Sequence, residues 1–213
     1  MREYKFQSNK AIVLDNQVLF AESFSVMLEK YRLFEAVHVF GEVESFVEFL
    51  VQHSVETFYI FVDYYFKNTN GLMIISDIYR INKRCKVIFV TYATSWLVIY
   101  SLKSYHANAI ISKSNGLDVL FECIAEVSQG NFYLCPVFNE LKEQQSTVAP
   151  VAFTPREIEV LQYFAEGNTI SQTAEKLCLS RHTVVSHRRN MMAKAKINSV
   201  GQLLKYAYQW RII

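Results

Sequence analysis

Four short runs of uninterrupted apolar residues, at positions 11–14, 58–62, 87–90 and 109–111, constrain this chain more than any other feature. Runs of this length without polar alternation suit strands buried on both faces, as in a parallel sheet. Between them the apolar residues take helical spacing: Phe20, Phe24, Met27, Leu28 and Tyr31, then Val43, Phe46, Val47 and Leu50, and later Leu117, Leu120, Phe121, Ile124 and Val127. A weaker strand signal lies at 36–40, between the first two helices. Five strands alternating with five helices predict a doubly wound α/β domain with a five-stranded parallel sheet over residues 1–130.

The chain has 213 residues, 51% of them hydrophobic, which is enough apolar surface for a folded core and excludes a disordered or low-complexity protein. Its net charge of +2 hides a division. Residues 1–150 carry 13 Lys/Arg against 16 Asp/Glu, whereas residues 151–213 carry 9 against 4. The longest uncharged stretch, 87–102, is shorter than the about 18 to 20 apolar residues that span a bilayer. Near the N-terminus, Arg2, Lys5 and Lys10 precede an apolar run that Asp15 stops, too short for a signal-peptide core. The expectation is a cytoplasmic protein with no membrane partner. Cys85, Cys123, Cys135 and Cys178 lack disulfide-framework or zinc spacing and read as buried thiols.

The strand runs end in Asp15 with Asn16, in Asp63, in Thr91 and in Lys113, at intervals of 48, 28 and 22 residues. The first interval holds two strand-helix units and the others one each, so these side chains converge at the carboxyl edge of the sheet, where open α/β folds bind ligands. A carboxylate, a hydroxyl and an ammonium together suit a phosphoryl group, with Asp63 as nucleophile and Thr91 and Lys113 as donors.

This constellation resembles the receiver domain of bacterial response regulators. Asp63 is followed eight residues later by Gly71, Thr91 matches the sensing hydroxyl, and Lys113-Ser114 matches the lysine closing the last strand. The resemblance implies that Asp63 accepts a phosphoryl group from a sensor histidine kinase, with Mg²⁺ held by Asp15, Asn16 and Asp63. The sequence departs from the family at four places. Asn16 replaces one of two adjacent acids, which weakens or removes the Mg²⁺ site; Tyr92 replaces a small residue; Ile110 stands at the aromatic switch; and Phe66-Lys67 replaces Met-Pro. Two readings of this domain stay open: control by phosphorylation of Asp63, or a degenerate receiver used for dimerisation or as an adaptor.

Polar residues at 141–152 read as the core of a linker spanning 131–152. Thr154-Pro155-Arg156-Glu157 then starts a helix, with Thr154 as N-cap, Pro155 at the first position, Glu157 completing a capping box, and Phe153 with Ile158 as staple. A short helix at about 170–177, a turn and a longer helix at about 181–195, capped by Ser180, form a helix-turn-helix unit. From 180 to 196 the charged residues are Arg181, Arg188, Arg189, Lys194 and Lys196, joined by His182 and His187, with no acid. A helix of one sign points to a polyanion.

Thr154 to Leu161 reads T-P-R-E-I-E-V-L, and with Gly167, the A-E-K-L of 174–177, Ser180, Thr183-Val184, His187 and Lys194 it resembles the DNA-binding domain of LuxR-type and NarL-type regulators. By that resemblance residues 153–213 form an all-α four-helix domain that binds double-stranded DNA. Val185, Ser186 and Arg189 face the bases, while Arg181, His182, Thr183, Arg188, Lys194 and Lys196 hold phosphates. Which of Arg188 and Arg189 reaches the bases stays open. The last helix, about 200–210, carries Val200, Leu203, Leu204 and Ala207 on one stripe that covers the core and makes the family's dimer contact. The whole reads as a homodimeric transcription regulator and not an enzyme, since no Gly-rich phosphate loop or second general acid accompanies Asp63.

Overall fold

The computed structural model describes residues 9–66, 69–92, 95–145, 151–210 and 212–213. Arg2, Lys5, Lys67 and the linker residues 146–150 lie outside the described residues, as do the side chains of 142–145. The chain divides into two units, Met1–Ala93 with Leu102–Glu140, and Thr94–Ser101 with Leu141–Ile213.

The first unit is built on strands β1 (Lys10–Leu14), β2 (Ala36–Phe40), β3 (Phe58–Val62), β4 (Lys86–Thr91), β5 (Ala109–Ser112) and β6 (Tyr133–Leu134). Along the chain the strands are followed in turn by helices α1 (Val18–Lys30), α2 (Val43–Gln52), α3 (Gly71–Ile81), α4 (Trp96–Ser104), α5 (Leu117–Ser128) and α6 (Pro136–Gln145), of which 96–101 of α4 and 141–145 of α6 belong to the second unit. All pairings are parallel, in the order β2-β1-β3-β4-β5-β6. The four apolar runs are the four central strands, buried on both faces as their lack of alternation requires. β2 is an edge strand with mostly half-buried positions, which is why its signal is weak.

Two expectations need correction. The sheet has six strands, because Tyr133 and Leu134 pair with Ala109 and Ile110. The stretch from 131 is therefore not linker at its start: it supplies β6 and then α6, and the sheet-bearing unit runs to Glu140 instead of stopping at 130. A two-residue strand carries no periodicity to read, and α6 is polar apart from a few positions such as Phe138, which is buried.

Gly71 begins α3 for a steric reason. Its amide donates to the Tyr64 carbonyl at 2.8 Å, and Asn70 caps the helix by accepting from the Leu72 and Met73 amides. A Cβ at position 71 would sit 2.5 Å from Cε1 of Phe89 and 2.9 Å from Cδ2 of Tyr64, both fully buried. The close approach of α3 to β4, just after Asp63, thus depends on the missing side chain.

The second unit contains α7 (Pro155–Ala165), α8 (Ile170–Lys176), α9 (Arg181–Ala195) and α10 (Val200–Gln209). Phe153, Ile158, Leu161, Phe164, Val184, Met191, Leu203 and Ala207 are buried, and Phe153 meets Tyr206 edge-on at 6.1 Å between ring centres.

Gly71→Ala should lower stability by about 1 to 3 kcal/mol in urea unfolding, the usual cost of overpacking a core. Cys85, Cys123 and Cys135 are buried, but Cys178, expected to be a buried thiol like them, is exposed, so a native-state thiol titration should count one reactive cysteine and a denatured one four.

Candidate functional site

The topology brings the ends of β1 and β3 side by side, because the chain leaves β1 for one edge of the sheet and returns to its other side with β3. Leu14 pairs with Val62, so Asp15 and Asp63 follow in neighbouring positions, and the Asp63 amide donates to the Leu14 carbonyl at 3.1 Å. Lys113 follows β5, and its amide donates to the Thr91 carbonyl at 3.1 Å. The Lys113 Nζ donates to Oδ2 of Asp15 at 2.6 Å and to Oδ2 of Asp63 at 2.8 Å, with the three side chains 0%, 2% and 3% exposed.

The other carboxylate oxygens are also engaged. Oδ1 of Asp15 accepts from the Gln17 amide at 2.9 Å, and Oδ1 of Asp63 from the Tyr64 amide at 2.6 Å. Aromatic rings flank the ammonium, with Phe20 at 4.5 Å and Tyr92 at 5.7 Å from Nζ to the ring centre. Burial pushes the Asp15 carboxyl above its ordinary pKa, while the bonds from Lys113 and the Gln17 amide hold it down and the Asp63 charge adds to the rise. Thr91 is fully buried at the end of β4, and Asn16 is exposed. Asp15 and Asp63 are the two carboxylates that would hold a receiver's Mg²⁺, and the position beside Asp15 offers the neutral oxygen of Asn16 in place of a third.

In the second unit, Thr154 accepts from the Glu157 amide and Glu157 Oε2 accepts from the Thr154 amide at 2.7 Å, a complete capping box on α7. Glu157 is almost wholly buried, and its Oε2 also receives Lys194 Nζ of α9 at 2.6 Å. Arg156 donates to the Leu177 carbonyl at 2.8 Å, which ties α7 to the end of α8. The turn into α9 passes through Cys178 in the left-handed region, φ 50°, and Ser180 then caps α9 by accepting from the Thr183 amide at 3.0 Å.

Along α9, Val184 and Met191 are buried, and Arg188 lies four and three residues from them on the same stripe, half-buried with its Nε enclosed and unpartnered. Arg181, His182, Arg189 and Lys196 are exposed, and Thr183, Val185 and Ser186 are half-buried. His182, Ser186 and Arg189 share one side at spacings of four and three.

Comparison with known proteins gives the two units their family. The family model described as "Response regulator receiver domain" matches residues 11–125, more than half of the chain, and "Bacterial regulatory proteins, luxR family" matches 151–207. The chain is a LuxR-family response regulator. It is similar to the Fimbriae Z protein of Escherichia coli K12, 24% identical over 95% of this chain and 97% of that one. It is also similar to the nitrate/nitrite response regulator protein homolog of Haemophilus influenzae, 26% identical over 89% and 91%. Among solved structures it resembles RcsB from Salmonella enterica serovar Typhimurium bound to promoter rprA in the presence of phosphomimetic BeF₃⁻, with a TM-score of 0.70, 20% identity and coverage of 94% and 98%.

The response regulator thus brings together three of the residues expected at its acidic pocket, Asp15, Asp63 and Lys113, with Thr91 adjoining through its backbone. Asn16 takes part in none of the pocket bonds described above. Two contributors escaped the sequence reading. Phe20 counted there only as one position of a helical stripe, although its place five residues after Asp15, on the first turns of α1, was a usable signal. Glu157 counted only as half of a capping box. The expected phosphate role of Lys194 needs revision in the same light, because its ammonium is bonded to Glu157 within the domain.

Lys194→Ala strands a buried carboxylate, so it should cost about 1 to 3 kcal/mol of stability, measurable by urea unfolding. Lys196→Ala, at an exposed position, should leave stability unchanged.

Proposed function

We propose that this LuxR-family response regulator binds double-stranded DNA as a homodimer through the outward side of α9 and so controls transcription in the cytoplasm. The observation that carries the reading is the acid-free row of His182, Ser186, Arg189 and Lys196, exposed except for the half-buried Ser186, with Arg181 and Thr183 at the capped start of the helix. A capped helix presenting cations and hydroxyls suits the major groove, and its opening amides favour a phosphate. Arg189 is the candidate for bidentate contact with guanine, with Ser186 and Val185 beside it. Half-buried Arg188 is better placed to steady α9 than to read bases, and Arg181, His182, Thr183 and Lys196 hold phosphates.

Homodimerisation follows from the same use of DNA, since two copies would place two α9 helices on two half-sites. The solved relatives include one titled as two RcsB dimers bound to two parallel DNAs, with 21% identity and a TM-score of 0.62. α10 buries Leu203 and Ala207 and leaves Val200 and Leu204 half-buried, so part of its apolar stripe remains for a second copy. No helix among the described residues is long and apolar enough to cross a membrane. The receiver supplies the regulation. Phosphorylation of Asp63 by a sensor histidine kinase with Mg²⁺ is the route its family suggests, and a phosphorylation-independent receiver is the one its pocket favours.

Arg189→Ala should cost about 1 to 3 kcal/mol at a single base position, whereas Lys196→Ala should weaken all sequences alike and reduce the salt slope by about one. Fluorescence anisotropy on an operator and its single-base variants, across a salt series, separates these outcomes. Equal losses on every sequence from both changes would remove Arg189 from base reading.

A further inference from the structure

The two edges of the sheet are finished differently. β6 has two residues, and α6 follows it at once, with Asn139 Nδ2 donating to the Leu134 carbonyl at 3.4 Å. β2 has five residues, pairs with β1 along its whole length without a bulge, and among the described residues has no strand on its outer side. Natural edge strands are blunted by charge, proline, a bulge or shortness. Ala36-Val37-His38-Val39-Phe40 contains no Lys, Arg, Asp, Glu or Pro, and Val39 is 40% exposed.

The direction of the free backbone groups follows from one bond. The Asp15 amide donates to the Phe40 carbonyl at 3.0 Å, so Phe40 turns its carbonyl toward β1. Backbone groups alternate sides along a strand, which aims the amides and carbonyls of Val37 and Val39 away from the sheet. A second copy of the strand, antiparallel and related by a two-fold axis at His38, sets Val37 of each copy against Val39 of the other. Each such pair exchanges both of its bonds.

Charge selects the same arrangement. Exposed Lys30 and Arg32 precede β2, and exposed Glu42 and Glu44 follow it. Antiparallel pairing carries the cations of each copy toward the acids of the other, whereas parallel pairing sets like beside like. Glu35, the acid just before β2, falls opposite Gly41.

We propose that the outer edge of β2 is a homodimer contact, through which two receivers join as antiparallel strands about a two-fold axis at His38 and make one continuous sheet. The proposal rests on the homodimer reading and adds a receiver surface to the one on α10. A five-residue edge is smaller than a standard stable interface, so it works as a second contact between chains that α10 and DNA also hold together.

The test uses the full chain. In a Cys178→Ser background, which removes the exposed thiol, His38→Cys should give an intermolecular disulfide under mild copper-phenanthroline oxidation, because residues facing each other at the axis stand about 4.5 Å apart between Cα atoms. Glu48→Cys, exposed on α2, should not. Val39→Pro removes an outward amide and Val39→Lys charges the edge. Each should weaken self-association about tenfold or more in sedimentation over a concentration series, with melting temperature reporting that the variant is folded. Arg32→Glu should weaken it about two- to fivefold, and adding Glu44→Arg should restore it. Amide exchange at Val37 and Val39 should slow as protein concentration rises.

Undiminished self-association in a folded Val39 variant, or no disulfide from His38→Cys, would overturn the proposal. So would slow exchange at Val37 and Val39 in a monomeric chain, which puts another segment of the same chain on the edge. Anisotropy on operator DNA keeps the two readings apart: a chain that crosslinks through position 38 but binds no operator counts against the DNA reading alone, and one that binds operator as a dimer without the crosslink counts against this proposal alone.

Discussion

One buried ammonium organises the carboxyl edge of the sheet. Asp15 and Asp63 follow adjacent strands, and two carboxylates in such proximity and burial repel each other and resist desolvation. Lys113 answers both through one Nζ, linking the ends of β1, β3 and β5. The cost is an ammonium on a fully buried side chain, which the Phe20 and Tyr92 rings partly offset. The carboxyl edge of the sheet is thereby held together by one contact between three strand ends.

The same region shows what a sequence can and cannot reveal. Residues 11–14 and 58–62 announce buried strands because nothing polar interrupts them, and the polar residues that follow mark the ligand edge because topology puts strand ends together. Phe20 is different. A ring on an amphipathic helix reads as core, and its position over an ammonium appears only once the α1 start is set against β5. Tyr133 and Leu134 were illegible for another reason: two residues cannot display a period, and their strand character comes from pairing with Ala109 and Ile110.

Charge along the chain was legible in sign but not in partner. The second unit carries the excess of cations over acids, and α9 itself has no acid, as the sequence shows. That Lys194 is answered from α7, 37 residues earlier, cannot be read from either helix alone. Arg188 and Arg189 are neighbours in sequence and chemically identical, yet Val184 and Met191 pull one into the buried stripe and leave the other in solvent. Helical phase, which 3.6 residues per turn makes sensitive to a single step, separates their roles.

Glu157 closes the α7 cap and also receives Lys194, so one carboxylate takes part in both the start of one helix and the placement of another. Fraying of the first turn of α7 therefore cannot stay local. If the Thr154 amide and its carboxylate partner separate, the carboxylate that anchors α9 is released with them, and the orientation of the basic helix loosens at the same moment. The rigidity of the basic helix is in this way inherited in part from the first turn of another helix.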